Sequence, residues 1–169
     1  MAIESDLRAR MEAIAARYPH RLTALIPVLY MVQKEYGYVT KAGMELAADV
    51  LGTTPAYVDS VASFYTMLYR QPVGKYVLQV CKTLPCALMG ANEVIAYLQE
   101  KLGIKPGETT SDRQFTLETV ECLAACHVAP LMMVNDVYKV CLDRAKLDAI
   151  LDECRHGSTP NPDEIYRSA

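Results

Sequence analysis

Of the six cysteines in this chain of 169 residues, four are spaced for metal chemistry. Cys81 and Cys86 are separated by four residues in VCKTLPC, and Cys122 and Cys126 by three in ECLAACH. Each pair directly follows a strand-like run, KYVLQV (75–80) and FTLETV (115–120). The pairs are distant in sequence but can meet at the ends of neighbouring strands. Four converging thiolates are the ligand set of a [2Fe–2S] or [4Fe–4S] cluster, or of an all-cysteine zinc site. A dithiol redox pair needs Cys-x-x-Cys, and neither pair has that spacing. Structural zinc usually takes knuckles of about two intervening residues. The looser spacings suit a cluster in which each pair of thiolates holds one of two irons. They favour iron–sulfur and leave zinc as the alternative. Backbone N–H groups in the two loops must then stabilise the sulfurs in otherwise apolar surroundings.

Composition limits the remaining readings. Half of the residues are apolar (51%), and the net charge is −3. That describes a globular chain with a real core and argues against nucleic-acid binding, which needs a basic face. No apolar run approaches the length of a membrane-spanning helix. The start, MAIESDLRARMEA, carries Glu4 and Asp6 and lacks an apolar segment, unlike a secretory signal or transit peptide. A reducing cytosol is therefore expected, where paired cysteines bind metal more often than they form disulfides.

Two kinds of periodicity position the cysteines. Residues 1–70 read as a helical bundle. Leu7, Met11, Ile14 and Ala15 recur at helical spacing, and a second helix spans 24–36, with Pro27 in its first turn and Gly37 as its stop. Thr40 caps a third helix that carries Met44, Ala47, Ala48 and Leu51 and ends at Gly52; Thr54 and Pro55 open a fourth. After the connector RQPVGK (70–75) the pattern changes. KYVLQV is a strand, Val94, Ile95, Leu98 and Leu102 define a helix, and KPGETTSDR (105–113) is a polar loop. FTLETV and LMMV (131–134) are strands, and Asn135-Asp136 turns the latter into VYKV (137–140). Asp143 caps a last helix with Leu147, Ile150, Leu151 and Cys154 on its inner face. The expected fold is α+β: the helical bundle, then a thioredoxin-like α/β domain with a small mixed sheet over 75–155, then a tail over 156–169.

From Ala24 to Asp136 the chain resembles the E subunit family of NADH:quinone oxidoreductase (respiratory complex I). It also resembles the equivalent subunits of NAD-linked hydrogenases and formate dehydrogenases. ALIPVLYMVQKEYGYV, DSVASFYTML, VGKYVLQVCKTLPC and VECLAACHVAPLMMVND are similar to that family's blocks, in the same order. The resemblance implies one [2Fe–2S] cluster per chain, held by Cys81, Cys86, Cys122 and Cys126. It further implies electron transfer with the FMN of a partner flavoprotein, which alone binds FMN and NADH, and contact with other peripheral-arm subunits. No nucleic acid and no direct membrane span are implied. The implied location is cytoplasmic, peripheral on the inner face of the cell membrane. The helical domain, the tail and the cluster-bearing loops after residues 80 and 120 are the expected docking surface. Two departures stand out: family members often have glycine where Ala124 or Ala125 stands, and His127 follows the last cysteine.

The chain lacks a Gly-x-Gly-x-x-Gly dinucleotide loop and a clustered acid/base group, so no complete active site is expected on it. Cys141 and Cys154 are expected to be small buried hydrophobes. Lys82 and His127 flank the four cysteines and Glu121 precedes one; positive neighbours would raise a cluster's potential and negative ones lower it. The segment Phe64 to Tyr69 is expected mainly to pack, with an exposed part free to meet a partner. A zinc-stabilised interaction module is the competing reading from a different functional class.

Overall fold

The computed structural model describes residues 2–157 and divides after Pro72 into two compact units. The first unit is helical: α1 (Ala2–Ala15), a 3-10 turn (Arg21–Ala24), α2 (Leu25–Tyr36), α3 (Lys41–Leu51) and α4 (Pro55–Phe64). Leu7, Met11, Val28, Leu29, Val32, Ala47 and Val58 form its core. Local chemistry sets the boundaries. The Thr40 hydroxyl accepts from the Gly43 N–H at 3.0 Å, and the Thr54 hydroxyl accepts from the Tyr57 N–H at 3.2 Å. Gly37 and Gly52 end α2 and α3 in the left-handed conformation. After α4, Gln33 secures the exit by donating to the Met67 carbonyl and accepting from the Tyr69 N–H. Leu68 is buried there, whereas Phe64 stands 80% exposed.

The second unit is a four-stranded mixed sheet with helices. Its elements are β1 (Tyr76–Cys81), α5 (Leu84–Leu88), α6 (Ala91–Leu102), β2 (Phe115–Val120), a 3-10 turn (Cys126–Val128), β3 (Met132–Val134), β4 (Val137–Lys139) and α7 (Arg144–Arg155). The sheet order is β2-β1-β3-β4. β1 and β2 run parallel, with Cys81 opposite Val120, whereas β3 and β4 are antiparallel to their neighbours. Parallel strands need a long crossover, which α5 and α6 supply. Leu78, Val80, Leu98, Leu117, Met132, Val134, Leu147 and Leu151 make the core. Asn135 and Asp136 both have positive φ, as a two-residue hairpin turn requires. The Asn135 side chain also ties the turn to β1, accepting from the Val77 N–H and donating to the Lys75 carbonyl. Asp143 caps α7 through the Lys146 N–H.

At some positions the structure departs from these expectations, and at others it adds to them. The first strand runs one residue further than KYVLQV, so Cys81 is its last residue. Residues 84–88 are helical, although five residues are too few to show a period. Strand β4 ends at Lys139; Cys141 lies beyond it with φ of 50° and is exposed, not a buried strand residue. The loop 105–113 is held to β2, with Thr109 bridging to Thr116. The Ala129–Pro130 peptide is cis. The tail expected over 156–169 lies, from residue 158 on, outside the described residues. Among the described residues, no helix is long and apolar enough to cross a membrane.

Gly74 lies against β2: a Cβ there would sit 2.7 Å from the Phe115 carbonyl carbon and 2.9 Å from the Thr116 nitrogen. Backbone cannot yield as a side-chain tip can. Gly74→Ala should therefore destabilise the protein by about 2 kcal/mol or more. Denaturant unfolding followed by circular dichroism would show this as a lower midpoint; an unchanged midpoint would contradict the close packing.

Candidate metal centre

All four singled-out cysteines lie on segments that adjoin one end of the sheet. Cys81 closes β1, and its N–H donates to the Leu131 carbonyl at 3.2 Å, just before β3. Cys86 lies on α5, fully buried. Cys122 follows β2, and Cys126 opens the short turn leading to β3; both are exposed. The two loops are joined directly. The Lys82 N–H donates to the Val120 carbonyl at 3.0 Å, and the Lys82 ammonium pairs with Glu121 at 3.4 Å. Tyr138 on β4 donates its hydroxyl to the Leu123 carbonyl at 2.8 Å, fixing the second loop from the opposite side.

A separate apolar cluster cradles this end. Cys81, Cys86, Ala91, Val128, Ala129, Leu131 and Val140 pack together, with Leu123, Ala125 and Tyr138 against them. Such surroundings oppose a bare thiolate. Burial first, then the neighbouring Cys81, pushes the Cys86 thiol up to about 11. Loss of water and then the charge of Cys122 raise the Cys126 thiol. Burial also acts upward on Cys81, but hydrogen bonding outweighs it and leaves the thiol lowered. The Thr83 hydroxyl lies 3.2 Å from its sulfur, and the N–H groups of Leu123 and Thr83 also favour its ionised form. Thr83 occupies the N-cap position of α5 but makes no side-chain cap bond; its hydroxyl faces the sulfur instead. In the other loop the Ala124 N–H donates to the Cys122 sulfur at 3.3 Å.

The thiols stand as two interacting pairs, Cys81 with Cys86 and Cys122 with Cys126, with Cys126 near enough to influence both members of the first. Among the described residues, no three His, Cys, Asp or Glu side chains gather as ready ligands around a single point. Paired sulfurs, N–H groups directed at sulfur and an apolar cradle form a donor set that fits a [2Fe–2S] cluster. Cys154, buried on α7 with its thiol raised to about 11 by burial, belongs to the main core. The roles of Thr83 and Leu123 are not evident from sequence; a hydroxyl two residues beyond a strand-end cysteine is the available signal for Thr83.

The sequence profile of the thioredoxin-like [2Fe–2S] ferredoxins matches residues 11–155. This chain belongs to that family. Its members carry a [2Fe–2S] cluster, and the α+β fold agrees with the expectation from sequence. An E-type NADH-quinone oxidoreductase subunit of Rhizobium meliloti is 44% identical over 149 residues, covering 88% of this chain and 89% of that one. The NADH-quinone oxidoreductase subunit 2 of Thermus thermophilus is 46% identical over 160 residues, covering 93% and 88%. Among solved structures, an NAD+-reducing [NiFe]-hydrogenase superposes with a TM-score of 0.71 at 19% identity, which shows a shared fold. The match covers 79% of this chain but only 23% of that hydrogenase chain.

Ala124 has φ of 60°, a conformation that glycine adopts more cheaply. Ala124→Gly should stabilise the folded protein by about 1 kcal/mol, measured by denaturant unfolding with metal content held constant. A loss of stability would contradict the loop conformation. Under the same assay Cys154→Ala should cost roughly 1–2 kcal/mol through lost packing, and the exposed Cys141→Ala about 0.5 kcal/mol at most.

Proposed function

We propose that this chain is the electron-carrying E subunit of an NADH:quinone oxidoreductase, with Cys81, Cys86, Cys122 and Cys126 as the ligands of one [2Fe–2S] cluster. The observation that supports the assignment is the placement of two cysteine pairs on loops at one sheet end, with Leu123 and Ala124 N–H groups serving the sulfurs. The relatives named as NADH-quinone oxidoreductase subunits, similar along nearly their whole length, favour that complex over a hydrogenase or formate dehydrogenase. Bound there, a [2Fe–2S] cluster takes up and releases single electrons. The residues of this chain supply the rest. Thr83 and the loop N–H groups offset negative charge on the sulfurs. Val128, Leu131 and Val140 keep water from the buried side. The exposed Cys122 and Cys126 leave one side approachable. The chain exchanges electrons with the FMN of a partner flavoprotein that binds NADH, within a complex peripheral to the inner face of the cell membrane. The helical unit adds docking surface, and Phe64, Tyr65 and Met67 give it exposed apolar side chains.

Anaerobically purified protein should contain two irons and two acid-labile sulfides per chain and become paramagnetic on one-electron reduction. Alanine at any of the four cysteines should abolish or cripple that signal. A colourless protein with stoichiometric zinc would replace this reading with a structural zinc module.

Lys82 and Glu121 place opposite charges beside the two loops. Glu121→Gln should raise the cluster's reduction potential and Lys82→Gln lower it, because added negative charge disfavours the reduced form. Redox titration followed by EPR tests the signs. Shifts in the same direction would contradict the electrostatic role.

A further inference from the structure

The helix that carries Cys86 turns an uncovered apolar face outward. Cys86 is fully buried, whereas Leu84 is 70% exposed, Leu88 78% and Met89 60%, and Pro85 is exposed beside them. Leu84 and Leu88 are one turn apart on the side of α5 away from the cradle. Residues 83–92 carry no charge. Lys82 and Glu93, both exposed, bound the stretch. Beside Met89 opens a groove of about 210 Å³ between α6 and α7, whose walls include Val94, Tyr97, Leu142 and Leu147. Scattered exposed leucines are ordinary, but a contiguous apolar face with a charged rim marks an interaction surface.

We infer that this cap and its adjoining groove are the surface against which the flavin-bearing subunit docks. The inference rests on the functional reading above and assigns that contact to particular side chains. Electron transfer slows steeply with distance, so a flavin partner must approach the cysteines closely. The cap lies on the same short helix as Cys86, so a partner seated on it is brought to the centre. A second copy of this chain on the same face would bring two like centres together and exclude the flavin. The cap supplies apolar area for a stable contact, the groove admits a partner side chain, and Lys82 and Glu93 set orientation at the rim.

The test uses the full chain with its cluster, together with the flavoprotein subunit from the same source. Leu84→Glu and Leu88→Glu are compared with the wild type. Iron content and the dithionite-reduced EPR spectrum establish that the cluster site is intact. If a glutamate variant loses iron, Leu88→Gln, similar in size and uncharged, takes its place. Affinity for the flavoprotein should fall about tenfold or more in the cap variants, with a parallel loss in the rate at which NADH reduces the cluster, while reduction by dithionite is unchanged. Wild-type binding with full affinity in the cap variants would overturn the inference and leave the functional reading standing. So would self-association of the wild type that the cap variants abolish without affecting flavoprotein binding. Failure of the wild type to bind the flavoprotein would sink the functional reading first, and this inference with it.

Discussion

The parallel pairing of β1 with β2 is the constraint on which the rest depends. Because the strands run in the same direction in register, with Cys81 opposite Val120, the two cysteine-bearing loops leave the sheet at the same end. Antiparallel pairing would send them to opposite ends. β3 completes the arrangement: it runs against β1, so its beginning lies at that same edge, and the Leu131 carbonyl receives the Cys81 N–H there. Three chain segments, from β1 to α5, from β2 to the turn at Cys126, and from that turn to β3, therefore converge by topology. Gly74 matters for the same reason. It allows the chain to enter β1 pressed against β2, where a side chain would meet backbone.

Convergence alone does not make four thiols into ligands. Without a cation the thiols of Cys86 and Cys126 are held toward the protonated form, chiefly by loss of water. Metal loading on such a site is coupled to proton release. Thr83, Leu123 and Ala124 favour negative sulfur locally. The protein thus combines dryness on the buried side with a few directed dipoles, and leaves the outer side open to a partner. The apolar cap on α5 fits the same division: Cys86 turns inward and Leu84 and Leu88 outward, because a helix of five residues has only one face to bury.

Much of this is legible in the chain. The caps at Thr40, Thr54 and Asp143 and the stops at Gly37 and Gly52 are local chemistry, so they read directly and are found in place. The cysteine spacing points to a binuclear site because each pair is short-range information. The order of strands in the sheet is long-range and stays open at the level of residues. The helical nature of Leu84–Leu88 is hidden by its brevity. Cys141 misleads because VYKV looks like a strand leading into it, whereas the chain leaves the sheet at Lys139 and turns through a left-handed residue. The use of the Thr83 hydroxyl on sulfur is also hidden, since a threonine before Leu-Pro reads as an ordinary helix cap.

The central claim is that two distant cysteine pairs share one binuclear centre, with each iron held entirely by sulfur. Iron-edge X-ray absorption on the full, anaerobically purified chain measures this directly. The account predicts sulfur-only coordination at every iron, one short iron–iron distance, and the appearance of an oxygen ligand when either Cys81 or Cys122 is replaced by serine. Nitrogen or oxygen ligands in the wild type, iron without an iron neighbour, or a serine variant at Cys122 with an unchanged spectrum would contradict it.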